Sequence, residues 1–119
     1  MPDHGDIVLI PIPFTDLSSQ KRRPVIVISN NAYNQRGPDM VVVAMTSTPF
    51  RSPYSFTLTS TDVERGRLNR PVTVRVDKIY TLDQKLAIKT FGRVSTVILD
   101  QIQTMLQQLT IRISSKEPG

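Results

Sequence analysis

Hydrophobic residues fall into short runs separated by polar segments, which is typical of a β-rich protein. The clearest run, Val25–Ile28, is wholly β-branched and predicts a strand buried on both faces. Pro24 precedes it, and because proline has no N–H for a sheet, we expect the strand to begin there. Arg23 stands before that proline and is therefore biased towards an extended backbone. Met40–Met45 predicts another strand of the same apolar kind.

The remaining strands carry prolines or alternate. Residues 6–14 form an apolar first strand in which Pro11 and Pro13 lie two residues apart, which indicates an edge strand. Tyr54–Leu58 alternates as a half-exposed strand does, and Pro71–Asp77 places its valines on one face and Thr73, Arg75 and Asp77 on the other. Two further short strands are predicted, over Ile79–Thr81 and Ile88–Val94.

Three polar segments are predicted to be loops: Thr15–Arg23, Asn30–Asp39 and Thr59–Arg70. The hydrophobic period then becomes helical, with Ser95 as the expected N-cap. The apolar positions of this helix are Val97, Ile98, Ile102, Met105, Leu106 and Leu109. The prediction is a mainly β fold with one α-helix: a small SH3-like antiparallel β-barrel or curled sheet, closed by the C-terminal helix. It forms one domain over residues 1–113, followed by a frayed tail over residues 114–119.

The composition of the chain excludes several kinds of functional site and favours one class of partner. A chain of 119 residues suits one domain, and without cysteine it has no disulfide or thiolate site. Because His4 is the only histidine, one chain cannot form a metal site from several histidines. Asp62 and Glu64 make at most a weak pair of carboxylate ligands, in a segment predicted to be a polar loop. We expect no metal or cofactor.

An acidic N-terminus and the absence of long apolar runs indicate a cytoplasmic, non-membrane protein. The net charge of +5 favours a polyanionic partner, either nucleic acid or an acidic polypeptide.

Three polar groups adjoin the apolar strands: Arg23, Thr46 with Ser47, and Arg75 with Asp77. If a curled sheet brings them together, they offer a fixed cation, hydroxyl donors and a carboxylate. Cleavage of RNA by its own 2′-hydroxyl needs such groups to move protons and to stabilise the phosphorane. Each group also has a simpler interpretation, as a solvated basic turn, as turn-forming hydroxyls, or as an exposed ion pair worth under roughly 1 kcal/mol.

Aromatic and basic residues follow the third strand. Phe50, Arg51 and Tyr54 are suited to stacking on unpaired bases, although aromatic residues near the start of a strand also pack in cores or at rims.

Five segments, in this order, resemble the MazF/PemK family, toxins of bacterial toxin–antitoxin pairs. They are Gly5–Val8, Lys21–Asn30, Val43–Ser47, Val74–Asp83 and Gly92–Ser95, and the resemblance extends from Gly5 to about Leu109. It implies a barrel shared with the CcdB toxins, a homodimer, and a metal-independent, sequence-specific endoribonuclease (mRNA interferase). Such an enzyme cleaves single-stranded RNA to a 2′,3′-cyclic phosphate and a 5′-hydroxyl.

By position, Arg23 matches the family's catalytic arginine, and Thr46 matches its catalytic threonine, with Ser47 beside Thr46. Arg75 with Asp77 matches the acid-and-base pair of the PemK branch. That branch has a histidine in its first loop, whereas the loop here offers only Ser18, Ser19 or Gln20.

The partners that the resemblance implies are RNA, an acidic cognate antitoxin and, for the toxin–antitoxin complex, operator DNA. Two alternatives stay open: a gyrase-targeting, CcdB-like poison, and a catalytically silent nucleic-acid-binding relative.

Overall fold

The computed structural model describes residues 1–11 and 22–113, which form a seven-stranded sheet and two α-helices. The strands are β1 (Asp6–Pro11), β2 (Arg22–Val27), β3 (Asp39–Thr46), β4 (Ser55–Leu58), β5 (Val63–Gly66), β6 (Val72–Asp83) and β7 (Lys89–Val94). The helices are α1 (Asn31–Arg36) and α2 (Thr96–Thr110). The strand order is β4-β6-β3-β2-β1-β7-β5, with antiparallel pairing throughout the described sheet. The predicted antiparallel β fold with a C-terminal helix is confirmed.

The sheet has a hydrophobic core on each face. The helix-side core includes Ile7, Ile26, Val43, Val74, Val76, Ile98 and Ile102. The cleft-side core consists of Val8, Ile10, Val25, Val27, Met40 and Val42. Successive residues of β2 contribute to opposite cores, and Ile26 and Val27 are fully buried. The prediction of a strand buried on both faces is therefore confirmed, and this strand lies at the centre of the sheet.

Two proline-based predictions were wrong. β1 is an interior strand, paired with both β2 and β7, rather than an edge. Pro11 is tolerated there because pairing with β7 ends at Leu9, so its missing N–H breaks no bond on that side. β2 begins at Arg22, two residues before Pro24, because β1 already pairs with it there, whereas pairing with β3 starts only at Val25.

Two predicted loops contain regular structure. The segment 30–39 includes α1, whose first turn is capped by the Asn30 side chain, which accepts a hydrogen bond from the backbone N–H of Tyr33 at 2.9 Å. The segment 59–70 contains β5, which pairs with β7 and ends at Gly66. Both elements are short and mostly polar, so hydrophobic periodicity did not reveal them.

The C-terminal helix follows its prediction with one exception. Ser95 caps it, accepting a hydrogen bond from the backbone N–H of Ile98 at 3.4 Å, and Ile98 and Ile102 enter the helix-side core. Val97, which we expected on the apolar face, is 71% exposed. In the described parts of the chain, no helix combines the length and apolar character that a membrane crossing requires. The predicted tail, and residues 12–14 of the first predicted strand, lie outside the described residues.

Strand β6 is continuous where the sequence predicted two strands. It contains a pronounced bulge, because Ala44 of β3 pairs with Arg75 while the neighbouring Val43 pairs with Ile79. Residues 76–78 therefore project out of the β3 ladder. This bulge adjoins Arg75 and contains Asp77, two of the polar residues predicted to take part in the reaction.

Candidate active site

The cleft-side core ends in an open cleft of about 340 Å³, called here the basic cleft. Its apolar floor includes Ile10, Val25 and Ala44. Its polar wall includes Arg23, Thr46, Arg75 and Lys78. Three cations beside an apolar floor create a site suited to a phosphate attached to a flat, partly apolar group.

Strand pairing brings the polar wall together from three strands. Arg23 of β2 pairs with Ile10, and it shares a face with Val25 two residues further on. Thr46 ends β3 on the same face as Ala44, and Ala44 pairs directly with Arg75 of β6. The predicted convergence of the arginines and the threonine thus follows from the register of the sheet. Asp77, the carboxylate expected in the same group, does not line the cleft and adjoins it through its ion pair with Arg75.

Arg23 is exposed at the cleft. Within residues 1–11 and 22–113, its guanidinium has no hydrogen-bond or ion-pair partner. The extended backbone predicted for Arg23 is confirmed by its place in β2.

Thr46 presents an oriented hydroxyl. Its Oγ1 accepts a hydrogen bond from the backbone N–H of Thr48 at 3.1 Å. With this bond accepted, the hydroxyl proton remains available for donation into the cleft. Thr46 therefore both forms the turn after β3, as its simpler interpretation held, and offers a donor beside Arg23.

Arg75 and Asp77 form a two-point ion pair. The Nε and Nη2 of Arg75 donate to Oδ1 and Oδ2 of Asp77 at 3.3 and 2.9 Å. The hydrogen bonds from Arg75 are the main cause that lowers the pKa of the Asp77 carboxyl below its ordinary value. Asp77 is consequently ionised at neutral pH, and its basicity is reduced.

The RNA-binding residues suggested by the sequence are only partly at the cleft. Phe50 lines it, with its ring against the Arg75 guanidinium. Ser47 and Arg51 are exposed on the neighbouring segment and do not line the cleft. Three further candidates, Ser18, Ser19 and Gln20, lie outside the described residues.

Sequence reasoning missed Lys78 and Tyr80, which also line the cleft. Strict alternation would place Lys78 on the face opposite Arg75. The bulge at residues 76–78 breaks that alternation, so both cations reach the same cleft. The basic character of Lys78 was the one available signal.

Other polar candidates lie apart. The Asp62 carboxylate accepts the backbone N–H of Thr59 at 2.8 Å, and Glu64 is exposed on β5. His4 lies in a groove against α2, where burial lowers its pKa. In the described part of the chain, no cluster of three histidine or carboxylate side chains is arranged to hold a metal ion.

The fold and the cleft together define a small β-barrel-like protein with an open basic cleft of about 340 Å³ at one end of its sheet. The chain belongs to the family described as PemK-like, MazF-like toxins of type II toxin–antitoxin systems, whose family model matches residues 3–110. No curated protein sequence gives a significant match.

Several solved structures share the fold. A mycobacterial endoribonuclease in complex with its cognate antitoxin has a TM-score of 0.77 and 23% identity, with 96% of this chain and 100% of that chain covered. The MazE–MazF complex of Deinococcus radiodurans has a TM-score of 0.73 and 26% identity, covering 91% and 94% of the two chains. The Mycobacterium tuberculosis toxin MazF-mt6 is similar at a TM-score of 0.69 and 16% identity, covering 87% and 93%.

Proposed function

We propose that this chain is the toxin of a type II toxin–antitoxin pair and acts as a metal-independent, sequence-specific endoribonuclease on single-stranded RNA. The observation that carries the proposal is the convergence of Arg23, Thr46 and Arg75, from three separate strands, on one cleft. Membership of the toxin family and the similarity to endoribonuclease structures support it.

In the proposed reaction, the RNA 2′-oxygen attacks the adjacent phosphorus and the P–O5′ bond breaks. Asp77 accepts the 2′-hydroxyl proton, and the leaving 5′-oxygen takes a proton from water. Arg23 and the Thr46 hydroxyl donate hydrogen bonds to the phosphate oxygens as negative charge develops on them. Arg75 neutralises charge on the leaving oxygen, because a guanidinium is too weak an acid to protonate it. The products carry a 2′,3′-cyclic phosphate and a 5′-hydroxyl.

The ion pair with Arg75 affects how readily Asp77 accepts the proton of the 2′-hydroxyl. A carboxylate with a lowered pKa is always deprotonated at neutral pH, yet it draws a proton weakly. A substrate phosphate that binds the N–H donors of Arg75 not used by Asp77 shares the positive charge of the guanidinium with that carboxylate. This sharing weakens the ion pair without breaking it and raises the basicity of Asp77 as the substrate arrives.

Flanking nucleotides extend beyond the cleft in this proposal. Ser47 and Arg51 are exposed beside it and would contact the RNA backbone next to the cleaved phosphate. We retain Ser18, Ser19 and Gln20 as proposed RNA contacts on the basis of sequence alone.

We further propose that the chain forms a homodimer and is neutralised by an acidic antitoxin. The net charge of +5 and the cations of the basic cleft favour a negatively charged segment that covers the site. We propose that the toxin–antitoxin complex binds operator DNA and that the toxin acts in the cytoplasm on messenger RNA.

A cleavage assay in EDTA tests the function. Purified protein is incubated with a long single-stranded RNA, alongside Arg23→Ala, Thr46→Val and the matched control Arg36→Ala, which alters an exposed arginine of α1. Wild-type protein and the control should cleave, whereas Arg23→Ala and Thr46→Val should lose about 100-fold or more, as expected for a lost oxyanion donor. Circular dichroism checks that the variants are folded.

The alternatives predict other results. Uncut RNA with folded wild-type protein would favour the catalytically silent relative. Equal cleavage by the Arg23 and Thr46 variants would remove the site assignment. Neither the family nor the structural neighbours support the gyrase-directed alternative.

A further inference from the structure

The ring of Phe50, at the rim of the cleft, contacts the guanidinium of Arg75. The Cζ atom of Arg75 lies 3.7 Å from the centre of its ring, which is within the range of a close cation–π contact. The guanidinium therefore covers one face of the ring, and a base could stack only on the other face. Phe50 is still 37% exposed, so its contact with Arg75 is formed at the rim of the cleft rather than in the core.

We propose that Phe50 is a positioning residue that fixes the guanidinium of Arg75 for reaction, an inference that rests on the proposed nuclease function. The ring holds the face of the guanidinium, while Asp77 holds its Nε and Nη2 edge at 3.3 and 2.9 Å. Contacts on a face and on an edge together fix both the tilt and the rotation of the planar group. Of about five N–H donors on an arginine, these bonds use two and leave the others for a phosphate.

The segment that carries Phe50 is itself anchored to the strand beside Arg75. Ser55 of β4 pairs with Arg75 of β6. Its Oγ accepts a hydrogen bond from the backbone N–H of Ser52 at 3.0 Å, and its one proton is shared between the carbonyl oxygens of Ser52 at 3.2 Å and Phe50 at 3.3 Å. Ser55 thus holds the backbone of residues 50–52 beside the residue that the Phe50 ring contacts.

Preorganisation explains why such anchoring affects rate. A free arginine side chain has many rotamers, and freezing them during the reaction costs activation free energy. A guanidinium already held in place avoids that cost at the moment when charge develops on the leaving oxygen. Loss of the ring should therefore lower kcat and leave KM nearly unchanged.

Phe50→Leu retains an apolar side chain but removes the π face, whereas Phe50→Tyr retains the ring. We expect Phe50→Leu to lower kcat about 3- to 30-fold, the range that corresponds to a cation–π contact, and Phe50→Tyr to restore it. Ser55→Ala should give a smaller loss in the same parameter. Tyr33→Leu, which alters an exposed aromatic residue of α1, is the matched control and should leave kcat unchanged.

Binding to a 2′-O-methyl RNA, which cannot be cleaved, distinguishes positioning from base stacking. In an Arg75→Ala background, Phe50→Leu should cause no further loss of affinity, because the ring no longer has a guanidinium to hold. A loss of about tenfold there would show that Phe50 stacks on a base directly, and it would overturn the inference.

An NMR measurement tests the contact without any cleavage. The Nε–Hε signal of Arg75 should be displaced by the ring current in wild-type protein and in Phe50→Tyr, and it should return towards the free-arginine position in Phe50→Leu. An unchanged signal in Phe50→Leu would overturn the inference even if the protein cleaves RNA. A displaced signal in a protein that leaves RNA intact would instead overturn the nuclease function and leave the contact standing.

Discussion

Asp77→Asn separates catalysis from stability at the ion pair. The substitution keeps the shape of the side chain and one acceptor for Arg75, but it removes the charge and the proton acceptor. The Arg75 and Asp77 side chains are 23% and 29% exposed, so solvent screens their attraction. Such a pair contributes roughly 0.2–1 kcal/mol to the free energy of unfolding. The melting temperature should therefore fall by less than about 6 °C.

The effect on cleavage should be far larger. Removal of a general base costs about 10²- to 10⁴-fold in rate, whereas a residue that only orients Arg75 would cost less, because asparagine still accepts one hydrogen bond. The assay compares initial rates of RNA cleavage with melting curves of the same samples. A rate within tenfold of wild type would refute the assignment of Asp77 as the base, and a collapsed melting curve would show that the residue is mainly structural.

The pH dependence of the same variant has a definite sign. Hydrogen bonds from Arg75 lower the pKa of Asp77 below its ordinary value in the folded protein, so the carboxylate stabilises the fold above the unfolded-state pKa. That contribution is lost as the pH falls through the folded-state pKa. The difference in melting temperature between wild type and Asp77→Asn should be present at pH 6 and should vanish in strong acid. A difference that grows with acidity would contradict this linkage.

Two further predictions concern the scaffold, both checked by chemical or thermal unfolding. Ile26→Ala should cost about 2–5 kcal/mol, because Ile26 is fully buried in the helix-side core; a loss below 1 kcal/mol would contradict the packing. Gly66→Ala should destabilise the protein, since Gly66 has a φ of 84° and an added Cβ would clash with the carbonyl oxygen of Phe91. Gly37→Ala is its control, with nothing within 4 Å of the added Cβ, and equal stability of the two variants would refute the argument.

Hydrophobic patterning predicted the elements that bury apolar surface. The β-branched run at Val25–Ile28 and the helical spacing after Ser95 each report directly on core packing, so both were found. Helix α1 is stabilised by its N-cap and β5 by its pairing with β7, and neither has a hydrophobic periodicity that would predict it. The position of β1 in the sheet also escaped prediction, because the tolerance of a proline depends on where each neighbouring strand ends.

In the candidate site, too, residues with a local sequence signal were predicted, whereas residues placed by pairing between distant segments were missed. Arg23 was located from the adjacent proline and strand, and Thr46 from the end of an apolar run, which are local signals. Lys78 was missed because its orientation depends on the bulge in β6, a feature of pairing between distant segments. The contact between Phe50 and Arg75 likewise depends on how the segment after β3 folds back onto β6.

The most direct single measurement is a chemical analysis of the RNA ends that the protein produces in EDTA. Mass spectrometry of the fragments should find a 2′,3′-cyclic phosphate on one side of each cut and a 5′-hydroxyl on the other, and a 2′-deoxy substitution at the cleaved nucleotide should abolish the cut. Fragments with 3′-hydroxyl and 5′-phosphate ends, or cleavage that persists at the 2′-deoxy position, would contradict attack by the RNA's own 2′-hydroxyl in the basic cleft.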